Sequence, residues 1–145
     1  MKINLGAGSR PEDGFTNVDA EALPGVNVVH DLDVFPWPFD DGCAETVKAY
    51  DVFEHIEDPL GFMAECHRIL EPGGRLLIHT CHWQSRNSYT DPTHKRASTE
   101  ETFDYWIPGT YLNKRYGAGY AKGRHFAKVR LYLDGGDIAV TLRKL

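Results

Sequence analysis

The residues able to do chemistry sit at the ends of short β-prone runs. Ile3-Asn4-Leu5 empties into Gly6-Ala7-Gly8, Phe15 to Val18 ends at Asp19, and Val26 to His30 ends at Asp31 and Leu32. A strand ending in glycines turns sharply at φ > 0 and leaves no Cβ to hold a ligand off the main chain. A carboxylate closing the next strand can accept both hydroxyls of a ribose. Asp31 with Leu32 can serve an adenine, the acid accepting from the exocyclic amine and the aliphatic chain packing on the ring. Singly, each is an ordinary turn or loop cap. In register along one crevice, they describe a nucleoside site.

A second group is rich in imidazole. His79, His82 and His94 accompany Tyr89 and Asp91 in and after the apolar run Leu76-Leu77-Ile78. His82 and His94 are the candidate general bases, since a neutral imidazole is the side chain best suited to removing a proton near pH 7. His79, His82, Asp91 and His94 are also of metal-ligating types. The first two alternate poorly on a continuing strand, so no metal is assigned, and His55 is read as structural.

These groups need elements to hold them. Strands are predicted at Ile3–Leu5, Phe15–Asp19, Val26–His30, Thr46–Tyr50 and Arg75–His79, with a helical turn opening at Cys43. Only about ten residues separate the first two strands, too few for a full helical crossover. The clearest helix begins at Asp58 as N-cap with Pro59 next, carries Leu60, Met63, Cys66, Ile69 and Leu70, and stops at Pro72-Gly73-Gly74. Ser98-Thr99-Glu100-Glu101 reads as a capping box for a short helix through Trp106. Pro108 to Gly123, with four glycines and three tyrosines, is expected to be a mobile loop. Ala127–Leu133 and Ile138–Leu142 flank Gly135-Gly136 as a hairpin. The fold class expected is a single α/β domain over residues 1–145, mostly parallel, with a C-terminal antiparallel hairpin and reduced helices.

Composition narrows the function. Up to Pro72 there are four Lys or Arg against fifteen Asp or Glu, and from Gly73 onward twelve against six. An acidic half suits a cationic ligand. The basic half, with Lys95, Arg96, Lys114, Arg115, Lys122, Arg124 and Lys128 among Tyr111, Tyr116 and Tyr120, suits an anion or is a solvated loop. A net charge of −5 and the absence of a recognition module argue against nucleic acid. No apolar run reaches the length of a membrane span or forms a leader. Cys43, Cys66 and Cys81 are odd in number and lack C-x-x-C spacing, so a reducing, cytoplasmic setting is expected.

The sequence resembles the class I S-adenosylmethionine-dependent methyltransferases of the small type 11 kind. The resemblance rests on I-N-L-G-A-G-S at 3–9, T-N-V-D at 16–19, V-V-H-D-L at 28–32, D-V-F-E-H-I-E-D-P at 51–59 and R-I-L-E-P-G-G-R-L-L-I at 68–78. It implies a Rossmann-like sheet and S-adenosylmethionine as cofactor. Gly6 and Gly8 then approach its methionine part, Asp19 its ribose, Asp31 and Leu32 its adenine, and Asp51 the sulfonium side, with Asn4 and Ala7 also among the cofactor-binding residues. Asn4 departs from the family's usual acid, and Arg10 replaces the third glycine.

The function expected is methyl transfer to a small-molecule or glycan acceptor, possibly an anionic one. The alternatives are a non-catalytic cofactor-binding module or partner subunit, or an enzyme that cleaves the cofactor.

Overall fold

Leu70–Cys81 shows how the sheet is made. Gly74, Leu76, Ile78 and Thr80 are buried, while Arg75, Leu77 and His79 are at least partly exposed. That period of two belongs to a strand covered fully on one face only. A computed structural model describes residues 1–145. It contains β1 (Lys2–Leu5), β2 (Thr16–Asp19), β3 (Val28–Val29), β4 (Ala44–Tyr50), α1 (Pro59–Ile69), β5 (Leu70–Cys81), α2 (Asn87–Thr90), α3 (Tyr111–Tyr120), β6 (Phe126–Asp134) and β7 (Asp137–Lys144). One seven-stranded sheet runs β3-β2-β1-β4-β5-β7-β6. The first five strands in chain order pair in parallel, and β7 lies antiparallel between β5 and β6.

Helices are few, as expected. No helix joins β1 to β2 or β2 to β3, and α1 carries the crossover from β4 to β5. Asp58 caps α1 by accepting from the amides of Leu60 and Gly61, with Pro59 in the first turn. Its inward face is Phe62, Met63, Cys66 and Ile69, whereas Leu60 is exposed. Phe62 packs edge-on to Trp37 and Phe53, with centroids 5.4 and 5.8 Å away. Burying such a ring contributes about 1.5–3 kcal/mol. No helix is long and apolar enough to cross a membrane.

Four local expectations change. The chain is already extended at Ala44, so no helical turn opens at Cys43. Leu70 leaves α1, and β5 runs through Pro72 and the left-handed Gly73 instead of starting after them. Residues 98–106 form turns and one short 3-10 turn at Asp104–Trp106, because backbone bonds between Ser98 and both Cys81 and Trp83 tie the segment to the end of β5. The expected loop at 108–123 contains α3. Thr110 caps it by accepting from the Asn113 amide, and Tyr116 and Tyr120 pack on Tyr105. A Cβ on Gly117 would meet the Asn113 side chain at 2.5 Å and the Tyr105 carbonyl at 3.3 Å, so this helical glycine permits close packing.

Candidate functional site

Parallel pairing of β1, β2, β3 and β4 sends their C-terminal ends to one edge. Gly6, Asp19, Asp31, Leu32 and Asp51 meet there, lining a cleft of about 550 Å³. Gly6 has φ 62°, and a Cβ on it would lie 2.3 Å from Cγ2 of Val52. The amides of Gly8 and Glu21 donate to the two Asp19 oxygens at 2.8 and 3.0 Å. These bonds fix the carboxylate and leave lone pairs on each oxygen for a ligand.

Asn4 and Ala7 stand behind this edge. The Asn4 amide donates to Asn17 Oδ1 at 2.9 Å, and the Ala7 amide donates to the Val18 carbonyl. They brace the loop, with Asn4 and Ala7 also walling a separate cavity of about 70 Å³. Gly8 has open space where a Cβ would project.

Asp51 is a non-glycine residue at φ 58°, a left-handed conformation that a side chain seldom adopts without constraint. The constraint is visible. Arg10 donates to Asp51 Oδ2 at 3.0 Å, and His79 Nδ1 lies 2.9 Å from Oδ1. Burial alone would raise the Asp51 carboxyl, but these two partners hold it below the usual carboxylate value.

Beyond Asp51 the cleft gives way to a second cavity of about 570 Å³, walled by Asp51, Glu54, Cys81, Asn87, Thr90, Asp91, Pro92, His94 and Asp137. The 82–98 segment supplies much of it. It leaves and rejoins the sheet at the His82–Ser98 bridge and is pinned by the Lys95 amide donating to the Glu54 carbonyl. Arg96 adds a bond to the Phe53 carbonyl at 3.0 Å. The hairpin supplies the opposite wall, since Asp137 stands beside Cys81 in the β5–β7 register. Burial, then the charges of Glu54 and Asp137, push the Cys81 thiol up to about 12.

His94 therefore lies in the cavity and His82 does not. His82 is 3% exposed, 3.3 Å from Glu100 Oε2, and outside the walls of both cavities. The quartet of His79, His82, Asp91 and His94 is not assembled, because His79 faces Asp51 while His82 faces Glu100. Lys95 pairs with Glu57, Lys128 pairs with Asp104, and no Lys or Arg lines the second cavity. Sequence reasoning missed Arg10, Glu54 and Asp137 and set His55 aside. The only local signal was the charged pair Glu54-His55 set between Phe53 and Ile56.

Residues 11–78 match the family model described as a methyltransferase domain. The matched segment is just under half of the chain, and the sheet is similar in fold to those of solved S-adenosylmethionine-dependent methyltransferases. It is 35% identical over 123 residues to an uncharacterized protein in transposon TN4556 of Streptomyces fradiae, a match covering 84% of this chain. It is 38% identical over 58 residues, 39% of its length, to a probable S-adenosylmethionine-dependent methyltransferase of Mycolicibacterium smegmatis. The chain spans only 32% and 22% of those two relatives. Among solved structures it resembles the Burkholderia thailandensis 1,6-didemethyltoxoflavin-N1-methyltransferase with bound 1,6-didemethyltoxoflavin and S-adenosylhomocysteine. That likeness has TM-score 0.63 at 17% identity and covers 99% of this chain and 70% of that one.

Proposed function

We propose that the chain binds S-adenosylmethionine in the cleft and transfers its methyl group to a small acceptor held in the adjoining cavity. The observation that carries this reading is the sharing of Asp51 by both spaces, which brings a cofactor's reactive end to the acceptor's side. Two adjoining spaces favour transfer over a module that only binds the cofactor. A volume of about 570 Å³ suits a small molecule or a terminal sugar.

In this reading Asp19 accepts from the ribose hydroxyls, while Asp31 and Leu32 meet the adenine. Gly6 lets the cofactor lie against the main chain. The methionine end is a zwitterion, and the Arg10–Asp51 pair is its complement: the guanidinium takes the carboxylate and Asp51 takes the ammonium. Methyl transfer is an in-line displacement at a carbon already activated by its sulfonium, so alignment is the main task of the protein. His94 is the imidazole that meets the acceptor, and His82 is given no part.

The test is calorimetric titration of S-adenosylmethionine and S-adenosylhomocysteine into wild type and Asp19→Ala. Saturable binding by wild type, weakened at least about tenfold in the variant, is expected from the loss of hydrogen bonds to a charged group. Absence of binding by wild type overturns the reading.

A further inference from the structure

We propose that Glu54, His55 and His94 form a site for a divalent transition-metal ion where the acceptor cavity, walled by Glu54 and His94, meets the cleft walled by His55. The role given to the ion rests on the methyl-transfer reading above; the site itself rests on geometry. One donor atom from each residue lies within 4.8 Å of the other two. Donors around a single ion, with bonds of about 2.0–2.2 Å, are roughly 3–4 Å apart. Small side-chain movements close that gap. The two imidazoles meet edge to face, with centroids 4.7 Å apart and planes at 77°.

The carboxylate supplies an independent observation. Glu54 is 1% exposed, and its oxygens accept from the Thr80 hydroxyl at 3.0 Å and the Cys81 thiol at 3.5 Å. No Lys, Arg or His forms an ion pair with it. A buried carboxylate without a cation is costly to the fold. Asp91 and Asp137 share the same cavity, which no Lys or Arg lines, and add to its negative charge. A bound cation balances it.

An outer hydrogen bond orients His55 in the way a metal ligand requires, and His94 stands beside the same carboxylate. His55 Nδ1 is 3.1 Å from the Thr93 hydroxyl, which donates to Asp91 Oδ1 at 2.7 Å. His94 Nε2 is 3.8 Å from Asp91 Oδ2. Two imidazoles and one carboxylate suit zinc, manganese, iron or cobalt better than magnesium or calcium.

Three protein ligands leave coordination positions open to the cavity. An acceptor hydroxyl bound there is held beside the methyl group and loses its proton to water more readily. Its oxygen lone pair then forms the new bond to carbon, the carbon–sulfur bond breaks, and that electron pair stays on sulfur. In this arrangement His94 acts as a ligand instead of a free base.

The experiment strips the purified chain with a chelator and titrates it with Co²⁺, reading visible absorption and stoichiometry, for wild type, His94→Asn, His55→Asn, the double variant and Asp19→Ala. Circular dichroism checks that each is folded. One equivalent with imidazole-type bands is expected, weakened at least about tenfold by each histidine change and unaltered by Asp19→Ala. Calorimetry on the same samples separates the two readings: Co²⁺ uptake by a wild type that binds no S-adenosylmethionine overturns methyl transfer alone, and Co²⁺ uptake retained in Asp19→Ala shows that the metal site does not depend on the cleft. No Co²⁺ uptake by wild type, or equal uptake by the double variant through the other five of seven histidines, overturns the proposal.

Discussion

The Cα of Gly6 lies so close to Val52 that a methyl group added there would stand 2.3 Å from Val52 Cγ2. The contact sets the loop after β1 against the segment after β4, the two walls of the cleft. Gly6→Ala is expected to destabilise the protein by more than the roughly 1–2 kcal/mol that a side chain pays in left-handed backbone, and to weaken cofactor binding. Adding Val52→Ala should recover the part due to the clash. Thermal melts of both variants check this, and a double variant no more stable than the single one would refute the steric account.

Arg10→Ala separates binding from stability. The Arg10 side chain is 74% exposed, so its pair with Asp51 contributes little to folding, below about 1 kcal/mol. Loss of a charge-assisted bond to the cofactor's carboxylate is worth about 1.5–3 kcal/mol, a rise in Kd of roughly ten- to a hundredfold. An unchanged melting temperature with weaker S-adenosylmethionine binding is expected by calorimetry.

Arg68 grips Glu65 through Nε to Oε1 at 2.8 Å and a second nitrogen to Oε2 at 2.7 Å, while also donating to the Phe39 and Trp37 carbonyls. Arg68→Ala strands a largely buried carboxylate and should cost about 3 kcal/mol, measured by urea unfolding. Burial pushes the Glu65 carboxyl up, but Arg68 and the Trp37 amide outweigh it and leave it lowered from its ordinary 4.5. The unfolded chain therefore takes up that proton first. This share of stability is present above about pH 4.5 and is lost as pH falls below it.

His67 gives a separate pH effect. Burial, helped by the charges of Lys144 and Arg124, lowers its pKa from 6.5 to about 4. The folded protein holds the ring neutral where the unfolded chain protonates it, so stability should decline as pH falls from 6.5 towards 4. Urea midpoints at pH 7 and pH 5 should differ less in His67→Phe than in wild type.

Cysteine alkylation reports the burial pattern. Cys66 and Cys81 are buried and Cys43 is partly exposed. With the Cys81 thiol near 12 and Cys66 also raised, iodoacetamide at pH 8 should modify Cys43 first in the native protein and all three after unfolding. Peptide mass mapping distinguishes the cases.

Local signals were readable. The glycine loop, the carboxylates at 19 and 31, the Asp58 cap and the Gly135-Gly136 hairpin each depend on a few adjacent residues. Features that depend on distant partners were not. The glycines of 117–123 spoke for a loop, yet Tyr105 and the Thr110 cap make a helix worthwhile there. His82 reads as a candidate base from its residue type and its place after the apolar run of β5. The bridge to Ser98 prolongs strand geometry past Cys81, so adjacent side chains take opposite sides and Cys81 faces the cavity. Glu54 and His94 meet only because the 82–98 excursion folds back onto the Phe53–Glu57 segment.

The placement of β7 between β5 and β6 also sets an order of assembly. On a ribosome the cleft between Gly6 and Asp51 is complete in sequence once Ile56 has emerged, and His94 follows. The strand β6 then appears with no sheet neighbour until β7 pairs with both it and β5. Asp137 arrives with that strand, so the second cavity is the last part of the candidate site to close, after the cleft lined by Gly6, Asp19 and Asp51 has already been made.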